Sequence, residues 1–202
     1  MKPLVIGISA DGAKCGKDTF CALLIERLKA KNILAKRYGL ADALKNELNP
    51  FIQQQFGIDL WNCTPEEKEL TRDILVAYGK VKRIQSKGQC WWKLIEEKIV
   101  TECYPVCVIS DCRYDTYQKD ERYFVQDKHK GILVHVKRYD TIGGKKIYFK
   151  PPNEDEAREN PKLQKASDYI INWETSGIKD LNKLIPHVDD FINFLVDTNY
   201  LK

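Results

Sequence analysis

A chain of 202 residues, 43% hydrophobic and 31% charged, is long enough for one domain with a sizeable core, and no apolar run approaches the roughly 20 residues of a membrane span. A formal net charge of +4 is too mild for a dedicated nucleic-acid binder but suits a substrate that carries several phosphate charges. The seven cysteines, an odd number with no C-x-x-C pair and no histidines at zinc spacing, predict reduced thiols and a cytoplasmic protein.

Residues 3–8 form a continuous apolar run, as expected of a buried parallel strand rather than a signal peptide. Residues 18–31 then place Phe20, Leu23, Leu24 and Leu28 at helical spacing. Between them lies a turn, GISADGAKCGKDTF. A second strand is predicted over 33–38, then a helix over 41–48 that Pro50 interrupts, and a less regular stretch over 49–64. Thr64-Pro65-Glu66-Glu67 is a strong helix start, with a threonine cap, proline at the first helical position and acids in the first turn. Helix continues in pieces to about residue 101, broken near Ser86-Lys87-Gly88. Further strands are predicted over 105–111, 131–136 and 168–172, followed by a helix with Leu181, Leu184, Ile185, Phe191, Ile192 and Leu195 on its apolar side. Short apolar strands alternating with helices predict a single α/β domain over 1–202, three layers around a central parallel sheet of about five strands. Residues 139–166 stand apart: polar, with Gly143-Gly144 and Pro151-Pro152 and little apolar periodicity, they read as a long loop, either functional or disordered.

The turn after the first strand has the layout of a phosphate-binding loop. Such a loop works because successive backbone N–H groups converge at a helix N-terminus, where the dipole also favours anions. Gly16 and Lys17 stand where the motif needs them, and Thr19 can offer a hydroxyl. Gly12 comes one residue late and Asp11 occupies the usual glycine position, a substitution the motif does not explain. Asp18 replaces the usual hydroxyl residue; a carboxylate there suits Mg²⁺, whose charge reverses the local preference. The plainer alternative is a lysine-rich turn with Asp18 capping an ordinary helix.

Asp111-Cys-Arg113 ends a strand, the place where open α/β sheets bind ligands. Asp111 could orient a metal-bound water, and Arg113 could grip a phosphate bidentately; a surface ion pair is the rival reading. Arg138 follows another strand and stands at the mouth of the polar segment. Taken singly, Arg72 reads as a solvated helical arginine, Trp91-Trp92 as core packing plus one half-exposed aromatic, His135 as a packed or surface histidine and Lys128-His129-Lys130 as a solvated turn.

In order and approximate spacing, G-K-D-T after the first strand, Arg72 with Gly79, Trp91 and Lys93, Ser110-Asp111-Cys-Arg113, His135-Val-Lys-Arg138 and Asp168-x-x-Ile-x-Asn172 resemble the deoxynucleoside monophosphate kinases of T-even-like tailed phages and related viral and bacterial proteins. The resemblance runs from residue 4 to about 190. It implies a P-loop NTPase fold, ATP and Mg²⁺ as co-substrates and a deoxynucleoside monophosphate (dNMP) as acceptor. It also implies a substrate-binding helical region over about 41–101 and a lid-like insertion over about 139–166. By this resemblance Gly12, Ala13, Lys14, Cys15, Gly16, Lys17, Asp18 and Thr19 form the ATP-binding loop, with Arg138 and Asn172 completing the nucleotide site. Lys17, Asp111, Arg113 and Arg138 are the candidate catalytic residues, Asp18 and Asp111 the candidate metal ligands, and Arg72, Arg113, Lys45 and Trp91 the candidate acceptor-binding residues. Val76 and Gly79-Lys80 depart from the family pattern and leave the preferred base open.

Phosphoryl transfer to a phosphate needs no strong general base, because the acceptor is already an oxyanion. The expected partners are small nucleotides, without nucleic acid or membrane, in a monomer or homodimer. Two rivals are kept: another small P-loop kinase, acting on dephospho-coenzyme A or a metabolite, and a non-kinase NTP-binding switch protein, against which the absence of an N-K-x-D motif counts.

Overall fold

A computed structural model describes residues 2–12, 15–151, 153–174 and 183–201. Its centre is strand β1 (Leu4–Ala10), flanked in parallel by β3 (Val106–Ile109) and β4 (Ile132–Ile142). β2 (Ala35–Tyr38) extends the sheet beyond β3, and β6 (Tyr169–Glu174) pairs in parallel with the other edge of β4. These are the five parallel strands expected, in the order β2-β3-β1-β4-β6. A sixth, β5 (Lys145–Tyr148), pairs antiparallel with the far end of β4.

The two-residue period of the strands sorts their side chains between two cores. Ile6, Ile8, Val106, Val108, Ile132, Val134 and Val136 face one side. There α1 (Lys17–Ala30) supplies Phe20, Leu24 and Leu28, and α6 (Ile185–Asp197) supplies Val188, Phe191, Ile192 and Leu195. Val5, Cys107, Ile109 and Leu133 face the other side. They meet Trp91, Trp92, Ile95 and Ile99 of α4 (Cys90–Glu102), with Phe124 and Val125 of a π-helical turn at Tyr123–Lys128 that periodicity does not reveal. The result is a three-layer α/β sandwich with a mostly parallel sheet.

Three expectations need correction. Pro50 does not end its helix: α2 runs from Leu40 to Phe56 and stops at Gly57, whose φ of 70° suits a glycine cap. An interior proline costs a helix ~3 kcal/mol, but Leu48 and Ile52 on either side of it are buried with Leu60. Asn49 helps fix this corner by accepting from the Leu60 amide at 2.7 Å. Secondly, residues 139–166 are not an irregular loop. β4 continues to Ile142, turns through Gly143 and Gly144 (φ 57° and 76°) into β5, and α5 (Glu154–Ala166) follows, capped by the Asn153 side chain on the Glu156 amide at 2.8 Å. The inward positions of α5 are Glu156, Glu159, Asn160 and Leu163, so helical spacing is present in mostly polar letters that an apolar search misses. Thirdly, the turn at Lys128–Lys130 is not simply solvated: His129 packs edge-on against Phe124 at 4.8 Å, and Lys128 pairs with Glu96 at 2.6 Å.

The helix predicted from Thr64 is α3 (Pro65–Ser86), with the full reciprocal capping box between Thr64 and Glu67. Among the described residues no helix is long and apolar enough to cross a membrane.

Candidate phosphate-binding site

β1 delivers the glycine turn to the carboxyl end of the sheet, and α1 starts at Lys17. Gly16 sits immediately before the helix with φ 87° and ψ 12°, a left-handed conformation costly for any residue with a Cβ. A Cβ here would also lie 2.4 Å from Cζ2 of Trp173. The Trp173 indole N–H donates to the Cys15 carbonyl at 2.9 Å, so β6 holds the turn in place. The N-terminal amides of α1 have no side-chain cap, which leaves them directed toward the space before the helix, as an anion site requires.

Lys17 heads α1, and its Nζ lies 2.9 Å from Asp18, whose side chain is 70% exposed. Thr19 is half-buried in the same turn. Gly12 is buried against the segment that follows β5: a Cβ on it would lie 2.3 Å from the Lys150 carbonyl oxygen. Ala13 and Lys14, both expected in the loop, lie outside the described residues.

Asp11 has partners from two segments, β4 and α5. His135 Nε2 lies 2.8 Å from Asp11 Oδ1, Lys137 Nζ lies 3.6 Å from Oδ2, and Asn160 of α5 donates to the Asp11 carbonyl at 2.6 Å. On the other side of its ring, fully buried His135 meets the Ser9 hydroxyl at 2.9 Å through Nδ1. The residue that breaks the glycine pattern therefore fastens the start of the turn to β4 and α5. Sequence reasoning missed Ser9, Lys137, Asn160 and Trp173. Ser9 and Trp173 had one weak signal, a polar or very large residue inside an otherwise aliphatic strand.

At the end of β3, Asp111 is buried and committed. Its two oxygens accept from the amides of Leu40 and Ala41 at 2.7 and 2.8 Å, capping α2. An expected metal-facing carboxylate is thus a helix anchor. Arg113 donates to Glu156 of α5 at 2.6 Å, and Glu156 together with the other acids nearby raises its basicity against the opposing effect of burial. Arg37, missed earlier although it sits near the carboxyl end of β2, forks onto Asp42 at 2.7 and 3.3 Å. The Cys21 thiol of α1 is fully buried in the core below the turn. Burial pushes that thiol up to about 12 and Cys15 up to about 11, so neither is a reactive nucleophile. Arg138 stacks between Phe149 (4.9 Å) and Trp173 (4.8 Å), joining the turn to the β4–β5 hairpin.

Among the described residues no side-chain contact joins the remaining candidates to this cluster. Arg72 pairs with Glu69 along its own helix, and Lys45 covers the Trp61 ring at 4.9 Å. Trp91 is buried in the core beneath α4. Asn172 is exposed on β6, opposite Lys137 in register.

Mg²⁺ carried on nucleotide phosphates keeps several waters and takes only one or two protein carboxylates. Exposed Asp18 at the start of α1 fits that role; among the described residues no cluster of three His, Cys, Asp or Glu forms a dedicated cage.

No protein-family model matches the sequence, and no curated protein does. Among solved structures the chain is similar to a dephospho-CoA kinase from Campylobacter jejuni, at 15% identity and TM-score 0.47 over 96% of this chain and 98% of that one. It is also similar to a shikimate kinase from Acinetobacter baumannii in complex with shikimate, at 13% identity and TM-score 0.44 over 99% of this chain and 96% of that one.

Proposed function

We propose that the protein is a small P-loop kinase that transfers a phosphoryl group from ATP to a nucleoside monophosphate, with a deoxynucleoside monophosphate as the acceptor. The observation that carries the reading is the left-handed Gly16 followed at once by Lys17 at the head of α1, at the carboxyl end of the central parallel strand. The uncapped amides of α1 and Lys17 bind the donor phosphates, and Lys17 offsets the charge that develops on the transferred group. Asp18 would hold Mg²⁺, which would supply neutralisation of phosphate charge. Arg113 and Arg37 lie close enough to the sheet end to take an acceptor phosphate on releasing Glu156 and Asp42. Asp111 sets the start of α2 and so positions the acceptor side. Arg138, the β4–β5 hairpin and α5 cover the turn and exclude water, whose attack on ATP is the competing reaction.

A second reading, a kinase for dephospho-coenzyme A or another small metabolite, is favoured by one observation: Arg72, the acceptor residue implied by the resemblance, is engaged with Glu69 on the surface. Coupled ADP release with a panel of deoxynucleoside and nucleoside monophosphates, dephospho-coenzyme A and shikimate separates the two. A deoxynucleoside monophosphate that stimulates ADP release most strongly supports the first reading. Stimulation confined to a non-nucleotide acceptor selects the second, and no stimulation by any acceptor sinks both and leaves an NTP-binding switch.

A further inference from the structure

α3 is a 22-residue helix whose packed side carries Thr71, Leu75, Tyr78 and Gly79, the last with the Leu44 side chain 3.5 Å from where a Cβ would be. Roughly opposite, within about 100° of arc at 3.6 residues per turn, lie Leu70, Asp73, Ala77, Lys80, Val81 and Ile84. All six are exposed, and Leu70, Val81 and Ile84 are 75%, 53% and 58% accessible. Exposed apolar residues are ordinary when scattered, but a row along one helix face is not. Leu70, Ala77 and Ile84 recur every seventh residue, the spacing of a helix–helix seam. Among the described residues Asp73 and Lys80 have no ion pair, although neighbouring charges on α3 do: Arg72 with Glu69, Lys82 with Glu47 and Arg83 with Asp120.

The pattern is complementary to itself when reversed. In an antiparallel pair of α3 helices crossing at Ala77, Leu70 meets Ile84 of the second copy at both ends, about 21 Å apart at roughly 1.5 Å per residue. Asp73 comes beside the second copy's Lys80, and Lys80 beside its Asp73. Ala77, on the two-fold axis, is small enough to let the backbones approach. A membrane surface is a poorer occupant, because the face has one acid and one base and so no net attraction to anionic lipid. We propose that this face is an isologous homodimer interface, with two α3 helices antiparallel about a two-fold axis at Ala77. The proposal does not depend on the reaction catalysed.

The test is the mass of the full chain by sedimentation and light scattering over a concentration series. Wild type is expected to pass from one chain to two with rising concentration. Leu70→Glu, on the surface, should abolish that rise without changing the far-UV circular dichroism spectrum or the melt at low concentration. Asp73→Lys and Lys80→Asp, each of which sets like charges together, should weaken association about tenfold or more. The double swap Asp73→Lys/Lys80→Asp should restore it to near wild type. A single-chain mass throughout the series overturns the proposal, as does a dimer indifferent to Leu70→Glu, or a double swap no better than the single changes. Adsorption of a monomer to phosphatidylserine vesicles through Leu70 would also overturn it, in favour of a lipid surface.

Discussion

Around Gly16 and Lys17 the chain is fixed by residues from distant segments: Trp173 of β6 on Cys15, His135 and Lys137 of β4 on Asp11, Asn160 of α5 on the Asp11 carbonyl. Around Arg72 and Lys45 it is fixed mainly by the packing of α2 and α3 over a small cluster whose buried members are Leu48, Ile52 and Leu60. The first region is tied together by polar side chains from distant strands and a helix; the second is a pair of helices joined to the sheet end by Leu40 and Ala43 in the core and by polar anchors. One of these is Asp111, which caps α2, and another is Arg83, which ties α3 to Asp120 and Glu121 at 2.7 and 2.9 Å and stacks on Tyr114 at 3.8 Å. The proposed transfer asks for a donor side held rigidly and an acceptor side that moves, so that water is excluded only when both substrates are present.

The comparison breaks first at Lys17. Replacing it with alanine is expected to lower turnover about 100- to 1,000-fold or more, the scale for removing one pre-aimed electrostatic group, while the melting temperature stays near wild type because its visible partner is exposed Asp18. Coupled ADP release and a thermal melt on the same preparation check this. Normal turnover in Lys17→Ala would mean that the turn is not a phosphate site.

The next largest effect should be on stability. Arg83→Met removes the only cation hydrogen-bonded to either Asp120 or Glu121 among the described residues, and leaves buried Asp120 with backbone amides as its only donors there. Breaking a buried pair from one side costs about 3–5 kcal/mol, so denaturant unfolding should shift by that amount. The same cluster predicts a pH dependence. Burial, with Asp120 adding to it and Arg83 opposing it, raises Glu121 from 4.5 to about 8. The folded protein then retains a proton that the unfolded chain releases between those values, so this group's contribution to stability falls as pH rises through that window. Glu121→Gln should flatten the slope of stability against pH relative to wild type; an unchanged slope would show that Glu121 is ionised in the fold.

At the donor end, Asp11→Ala strands the fully buried His135 without its Nε2 partner, and should cost about 1–3 kcal/mol. It should also raise the KM for ATP, because the start of the turn loses its tie to β4. A full stability loss with an unchanged KM would reduce Asp11 to a purely structural role.

Much of this contrast could be read in the sequence, though unevenly. β1, β3, β4 and β6 were legible because each carries a short aliphatic run, β2 because Ile33 and Leu34 lead into it, and the start of α3 because Thr64-Pro65-Glu66-Glu67 satisfies its own backbone locally. The continuation of α2 past Pro50 was not, since burial of Leu48 and Ile52 outweighs a local breaker and burial is a property of the assembled fold. α5 escaped because Glu156, Glu159 and Asn160 face inward to meet Arg113, Asp115 and Asp11, partners that lie about 40 to 150 residues away. Asp11 was unexplained for the same reason: the motif describes what a turn does for phosphate, whereas this side chain serves the turn itself. The Gly16-Lys17 junction at the head of α1 was legible because a glycine and lysine between a strand and a helix form a local pattern.

The smallest expected effect falls on the acceptor side, at Arg72. Its pairing with Glu69 is an exposed one-turn contact, so Arg72→Ala should change stability by no more than about 1 kcal/mol. ATP use without acceptor should be unchanged as well, because nothing connects Arg72 to Gly16 or Lys17 among the described residues. If α3 closes over the acceptor as the contrast requires, the KM for a deoxynucleoside monophosphate rises in this variant while that for ATP does not. Equal values for both substrates in Arg72→Ala and wild type would leave the acceptor to Arg113 and Arg37 at the sheet end. In that case the acceptor site would be as fully pre-built as the donor site, and the contrast between the two regions would not be one of function.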